Sequence, residues 1–213
     1  MKILFILHST HMDGSTISFL NLVKGLSKRG VNCYVVHPDK KIDPGFKKAV
    51  LPYVNKLYYA HIVTYWHDER LYKRLGFHLK SNIKKCIKDI VENVQFKKIL
   101  YKVRPDIIHT NVGVIRIGYK LSKKTGIPHV WHLREYQTKD FHKVIEPSKA
   151  RFEKMLKDSY VITITKDILH YFNLENSSKA MCVYAIMRKI LPLSLLKKNI
   201  FYVVVEYPKK KDM

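Results

Sequence analysis

Residues 2–37, KILFILHSTHMDGSTISFLNLVKGLSKRGVNCYVVH, decide the fold. The run KILFIL is apolar after its lysine and of strand length, the pattern of a parallel strand covered on both faces. From Ser15 to Lys28 the apolar residues Phe19, Leu22, Val23 and Leu26 recur at helical spacing, with Ser15 read as the N-cap and Gly30 as the C′ residue. VNCYVVH follows as a second strand. Strand, helix and strand joined by short connections imply a parallel sheet.

Outward from there the same alternation continues. PDKKIDPG reads as loop, and KLYYAHIVTY holds a short third strand. Residues 68–103 are helical and basic. DIIHT (106–110) is a strand, VIRIGYKLSKKTG a helix ending at Gly126, PHVWHL a strand, 146–158 a helix and YVITIT a strand. A short helix then leads to AMCVY, another strand. The fold class is therefore α/β, a doubly wound, Rossmann-like parallel sheet. Residues 1–184 form this domain. Residues 185–213 change texture and end on a lysine cluster, so they are expected to be a basic tail, a truncated or damaged linker with no donor-binding domain after it.

The chain has 213 residues, with 40 Lys and Arg against 17 Asp and Glu, a net charge of +23. Such an excess favours polyanionic surroundings, whether nucleic acid, anionic membrane or phosphorylated substrate. Cys33, Cys86 and Cys182 form no CxxC pair and are expected to be reduced and buried. The opening MKILFILHST is too short in its apolar run for a signal-peptide core. No stretch approaches the ~20 apolar residues of a membrane span. The expected protein is cytoplasmic, either soluble or held peripherally at the inner face of the membrane.

In an open parallel sheet, ligands bind beyond the carboxyl ends of the strands at the switch point. There the sequence places His8-Ser9-Thr10, His37-Pro38-Asp39, His109-Thr110-Asn111 and His132-Leu133-Arg134-Glu135-Tyr136. Gly14 stands where the first strand gives way to a helix. Neither G-x-G-x-x-G nor G-x-x-x-x-G-K-[ST] is present, which argues against dinucleotide and P-loop sites. What remains is a glycine at a helix N-terminus, suited to an anion or needed only for backbone geometry.

The segment 70–104 alternates cations with apolar residues. Lys73, Arg74, Lys80, Lys84, Lys85 and Lys88 mark it as a candidate membrane-surface element, with a solvated face on a sheet-packing helix as the alternative. No nucleic-acid reading motif occurs, so nucleic acid is not an expected partner. No HExxH and no GxSxG occur, and His61 and His67 are wrongly spaced for one helical face, so no metal is expected.

Taken in order, the apolar first strand, the glycine loop, RPDIIHTN, TGIPHVWHLREY and DSYVITITKDI resemble the N-terminal domain of glycosyltransferase family 4. These enzymes have the GT-B architecture of two facing Rossmann-like domains. The chain is most similar to bacterial members that build capsular polysaccharide and lipopolysaccharide, over about residues 1–184. The resemblance implies an acceptor-binding domain, with a nucleotide sugar as donor substrate and no tightly bound cofactor. The loop that commonly reads Gly-Gly near the donor diphosphate reads Asp13-Gly14 here. The second histidine of the family's His-x-His, which touches the donor sugar, is Asn111, and His109 matches the first. The resemblance thus implies Gly14 and Asn111 on the donor side of a cleft, and His109, His132, Arg134 and Glu135 on the acceptor side. No residue is assigned a catalytic role. Similar proteins continue after VYNG into a domain with a Glu-x7-Glu motif, whereas this chain reads VYAIMRKI.

The function this implies is one half of a retaining hexosyltransferase of envelope polysaccharide synthesis, acting on a lipid-linked or saccharide acceptor. As given, the chain is expected to be weakly active or inactive without a separately encoded donor domain. The alternatives are a non-catalytic saccharide- or membrane-binding module and an inactive truncated gene product.

Overall fold

The computed structural model describes residues 1–68, 78–141, 143–187 and 203–205. In chain order the elements are β1 (Lys2–Ile6), α1 (Gly14–Ser27), β2 (Asn32–His37), α2 (Pro44–Val50), β3 (Lys56–Tyr59), β4 (Trp66–Asp68), α3 (His78–Val103) and β5 (Ile107–Thr110). There follow α4 (Ile117–Thr125), β6 (His129–Leu133), α5 (Thr138–Phe141), β7 (Lys143–Ile145), α6 (Lys149–Lys157), β8 (Tyr160–Thr163) and α7 (Lys166–Tyr171). The last are β9 (Ala180–Cys182), β10 (Ala185–Met187) and β11 (Val203–Val205).

Seven strands form one parallel sheet in the order β3-β2-β1-β5-β6-β8-β9. The order reverses between β1 and β5, which is the switch point of a doubly wound sheet. The apolar run of β1 explains its central place. Ile3, Phe5 and Leu7 pack with Phe19 and Val23 of α1 and Phe46 and Val50 of α2 on one face. Leu4 and Ile6 pack with Phe96, Ile99 and Val103 of α3 and Leu121 of α4 on the other. A third cluster, around Trp131, Phe152, Leu156 and Phe172, buries α6 and α7 against β6 and β8.

Several expectations are corrected. The N-cap of α1 is Asp13, not Ser15: extended backbone at Asp13 lets its Oδ1 accept from the Thr16 N–H at 2.9 Å, and the Ser15 hydroxyl donates to the same oxygen at 2.7 Å. Gly30 does adopt the left-handed conformation, φ 76°, with its N–H donating to the Ser27 carbonyl and that of Val31 to Leu26. The stretch read as loop from Pro38 to Gly45 already starts helix α2 at Pro44, capped by Asp43. The helix expected from Val114 begins only at Ile117, because Tyr65 N–H donates to the Val114 carbonyl and Thr64 bridges Ile115. Cys33 is buried, whereas Cys86 is exposed on α3, so the expectation of buried thiols fails there.

Within the stretch expected to be a tail, β10 and β11 pair in parallel and β11 lies beside α1. An antiparallel ribbon of β4 and β7 was not foreseen either. It carries Trp66 over the carboxyl edge of the sheet, against Phe141 with ring centroids 5.4 Å apart.

Candidate functional site

A cleft of about 520 Å³ opens at the switch point. The β1–α1 connection contributes His8, Asp13, Gly14 and Ser15, the segment after β5 contributes Val112 and Val114, and the segment after β6 contributes Arg134, Glu135, Asp140 and Phe141. Trp66 closes it from the ribbon. Apart from Trp66 on the ribbon, the walls come from segments that follow the carboxyl ends of the parallel strands, as this sheet topology favours.

Arg134 organises the floor. Its Nη1 donates to Ser18 Oγ at 2.7 Å, and Nε and Nη2 donate to Asn111 Oδ1 at 3.3 and 3.1 Å. Asn111 in turn is pinned through its N–H to the Ile6 carbonyl at 3.0 Å, with Nδ2 3.5 Å from the Ser15 carbonyl. The planar guanidinium therefore ties α1 to the end of β5. Burial lowers its pKa to about 10, which leaves it a cation at neutral pH. Beside it Glu135 accepts from the Gly113 N–H at 3.0 Å, and burial pushes its carboxyl up to about 7. The cleft thus offers a fixed cation, a carboxyl able to exchange a proton near neutrality and the N-terminus of a 14-residue helix.

Of the residues singled out in the sequence, Gly14, Arg134 and Glu135 line the cleft. Asn111, His109 and His132 do not: all three are buried beneath it. Asn111 spends its side-chain oxygen on Arg134. His109 packs between Phe5, 5.0 Å from its ring centroid, and His132, 5.6 Å away, and burial lowers its pKa to about 3. His132 Nδ1 stands 3.4 Å from Arg134 Nη2. Histidines inside a strand covered on both faces meet helices rather than solvent. The walls His8, Asp13, Asp140, Phe141 and Trp66 carried no assigned role in the sequence, though His8 stood among the strand-end residues. Among the described residues no group of three metal-ligating side chains converges.

These buried groups make stability depend on pH. Burial lowers His109 and His129 from 6.5 to about 3 and His132 well below 6.5, so the unfolded chain takes up these protons first on acidification. Glu92 and Glu135, raised from 4.5 to about 7, act oppositely, because the folded chain protonates them first. Between about pH 4.5 and 6.5 three histidine protons on the unfolded side exceed two carboxyl protons on the folded side. Stability should therefore fall on acidification by ~1 kcal/mol per pH unit, and more steeply as the lowered His8 and His37 add to it. Replacing both Glu92 and Glu135 by glutamine removes the opposing pair and should steepen the slope to ~4 kcal/mol per unit. Urea unfolding at pH 6.0, 5.5 and 5.0 measures it, and an unchanged slope in the double variant would refute the assignment.

No protein-family model and no curated protein matches the sequence. Solved structures do match. MurG from Acinetobacter baumannii superposes with a TM-score of 0.50 at 13% identity, over 87% of this chain and 46% of its own. UDP-GlcNAc 2-epimerase from Neisseria meningitidis, bound to UDP-GlcNAc, gives 0.52 at 15% identity, over 85% and 46%. Arabidopsis thaliana UGT89C1 complexed with UDP gives 0.51 at 11% identity, over 91% and 53%. At such identities the likeness is one of fold. These neighbours are GT-B enzymes, and the chain has the Rossmann-like fold of one half of that architecture. It spans about half the length of the structures it matches.

Proposed function

We propose that this chain is the acceptor-binding half of a retaining hexosyltransferase of glycosyltransferase family 4, acting in capsule or lipopolysaccharide assembly. It would receive a lipid-linked or saccharide acceptor, while a donor-binding half presents a nucleotide sugar. One observation carries the reading: the Arg134 guanidinium and the N-terminus of α1 share a single cleft at the switch point. In the transfer, the bond from the sugar's anomeric carbon to the diphosphate breaks, one to an acceptor hydroxyl oxygen forms, and the hydroxyl's proton passes to the departing diphosphate. The charge left on the diphosphate is stabilised by oriented backbone amides and by cations, some of them from the donor-binding half.

Gly14 fits that role. A Cβ built on it would meet nothing within 4 Å, and its backbone is not left-handed, so neither crowding nor conformation demands glycine. It lies in the cleft lining, where a bare backbone leaves the helix-terminal amides open to a phosphate. Gly14→Ala should leave the unfolding midpoint in urea unchanged or slightly raised and lower transfer about tenfold or more, by displacing a phosphate that approaches the amides. The assay supplies the chain with a donor-binding domain, a panel of nucleotide sugars and a short-chain prenyl diphosphate saccharide. Robust transfer by the chain alone would sink the half-enzyme reading, and saccharide binding without transfer in the reconstituted assay would favour a binding module.

We further place the protein at the inner face of the cytoplasmic membrane. No helix among the described residues is long and apolar enough to cross a membrane. Support comes from α3, which turns Phe96, Ile99 and Val103 to the core yet exposes Ile87, Ile90, Val91 and Val94 along its outer side. Exposed Lys88, Lys97 and Lys98 accompany that stripe. Lys73 and Arg74 lie outside the described residues, as do the side chains of Lys80, Lys84 and Lys85. The triple change Ile87→Ser, Ile90→Ser, Val94→Ser should reduce co-flotation with vesicles containing phosphatidylglycerol several-fold. Equal recovery with neutral and anionic vesicles would count against the surface.

A further inference from the structure

Beyond the switch-point cleft, a second cavity of about 520 Å³ lies at the same edge of the sheet, after β6 and β8. It is lined by Tyr136, Lys139, Asp167, His170, Tyr171 and Asn173. The segment from Arg134 to Phe141 serves both cavities: Arg134, Glu135, Asp140 and Phe141 face the first, and Tyr136 and Lys139 face the second. Asp140 ties the segment together by accepting from the Tyr136 N–H at 2.8 Å. The two cavities are therefore neighbours along one edge, separated by a short stretch of chain that includes the four-residue helix α5.

We propose that this second cavity is a saccharide subsite, holding a sugar unit of an extended acceptor one or more residues away from the unit in the cleft. The inference rests on the acceptor-binding reading and names the length of acceptor that reading implies. The chemistry of the lining carries it. A pyranose ring is apolar on a C–H face and ringed by hydroxyls that both donate and accept, so its sites combine an aromatic surface with a few polar groups of both kinds. Tyr136 and Tyr171 are half-buried and meet edge to face, with centroids 5.2 Å apart. Lys139 is held over both rings, its Nζ 5.3 Å from one centroid and 5.0 Å from the other, and supplies a donor to the same lining.

Acceptors stand opposite. The Asp167 carboxylate makes no side-chain hydrogen bond among the described residues. Asn173, which also lines the cavity, donates through Nδ2 to Glu153 Oε1 at 3.1 Å and keeps its Oδ1 as an acceptor. Glu153 is itself fixed by Lys149 at 2.9 Å, so the amide is oriented before any ligand arrives. Charge narrows the ligand further. In a chain of net +23, the cationic Lys139 shares the lining with the Asp167 carboxylate, Lys149, whose Nζ lies 4.3 Å from the Tyr171 centroid, is paired with Glu153, and His170 is paired with Glu175. Such a lining suits an uncharged polyol better than a polyanion.

The test uses maltotriose, cellotriose and triacetylchitotriose, each beside its own monosaccharide, titrated into the intact chain by calorimetry. Tryptophan emission is followed in parallel. Trp66 lines the cleft while Trp131 is fully buried, so a change on titration reports the first cavity. At least one trisaccharide should bind about tenfold or more tightly than its monosaccharide, a gain of ~1.4 kcal/mol. Asp167→Ala and Asn173→Gly should bring that ratio close to one without changing monosaccharide affinity. Glycine suits the left-handed backbone at Asn173, φ 53°, so this variant keeps the fold. A ratio near one for all three sugars, or a ratio that survives both changes, overturns the subsite. Sugars that bind without moving Trp66 emission would overturn the cleft reading instead.

Discussion

Arg134→Ala should lower transfer about 100-fold or more, the scale on which removing one aligned donor to a developing anion acts. The guanidinium is held by donated hydrogen bonds to Ser18 and twice to Asn111, so the charge is in place before substrate arrives. Arg134→Lys keeps the charge but loses the planar fork that spans both partners, and should recover only a small part of the activity. Asn111→Ala should act through Arg134, lowering kcat more than it raises KM. The readout is steady-state transfer with the donor-binding half supplied, together with saccharide binding followed at Trp66. Wild-type turnover in Arg134→Ala would remove the cation from the mechanism.

The largest loss of stability should come from Arg116→Ala. This side chain is fully buried, yet it carries a guanidinium 3.8 Å from the ring centroid of Phe152 and 5.6 Å from that of Trp131. It donates to the Gly113 carbonyl, and its Nη2 stands 3.5 Å from the Glu146 carbonyl. Burial lowers its pKa to about 9, so it folds as a cation that the aromatic faces and carbonyl dipoles offset. Truncation removes a large side chain from the core together with its hydrogen bond to the Gly113 carbonyl, a loss of ~3–5 kcal/mol. Arg116→Met, which keeps most of the volume, should lose much less. Urea unfolding measures both, and equal losses would show that charge rather than packing matters there.

Much of this architecture was readable because its cause is local. Leu4, Phe5, Ile6 and Leu7 are apolar on both faces, which only a covered parallel strand accommodates. The caps and glycines at the ends of α1 were nearly as clear, with the N-cap displaced by two residues because Asp13 competes with Ser15. Helix α2 was obscured by Pro44 and Gly45, residues that read as turn but serve equally well in a first helical turn. The β4–β7 ribbon was invisible: each strand has three residues, and they pair across more than seventy positions of sequence.

The candidate site divides along the same line. The sequence alone determined a parallel α/β sheet, the edge of that sheet where ligands bind, and Gly14, Arg134 and Glu135 at that edge. These follow from periodicity and from which loops succeed which strands. Only the tertiary structure decided that His109, His132 and Asn111 lie beneath the cleft, that Arg134 bonds Asn111 and stands against His132, and that Trp66 closes the wall. Depth depends on what the helices of both faces cover, and the ribbon depends on a pairing between distant segments. Neither is written in a local pattern, because burial and long-range pairing exist only once the chain has packed.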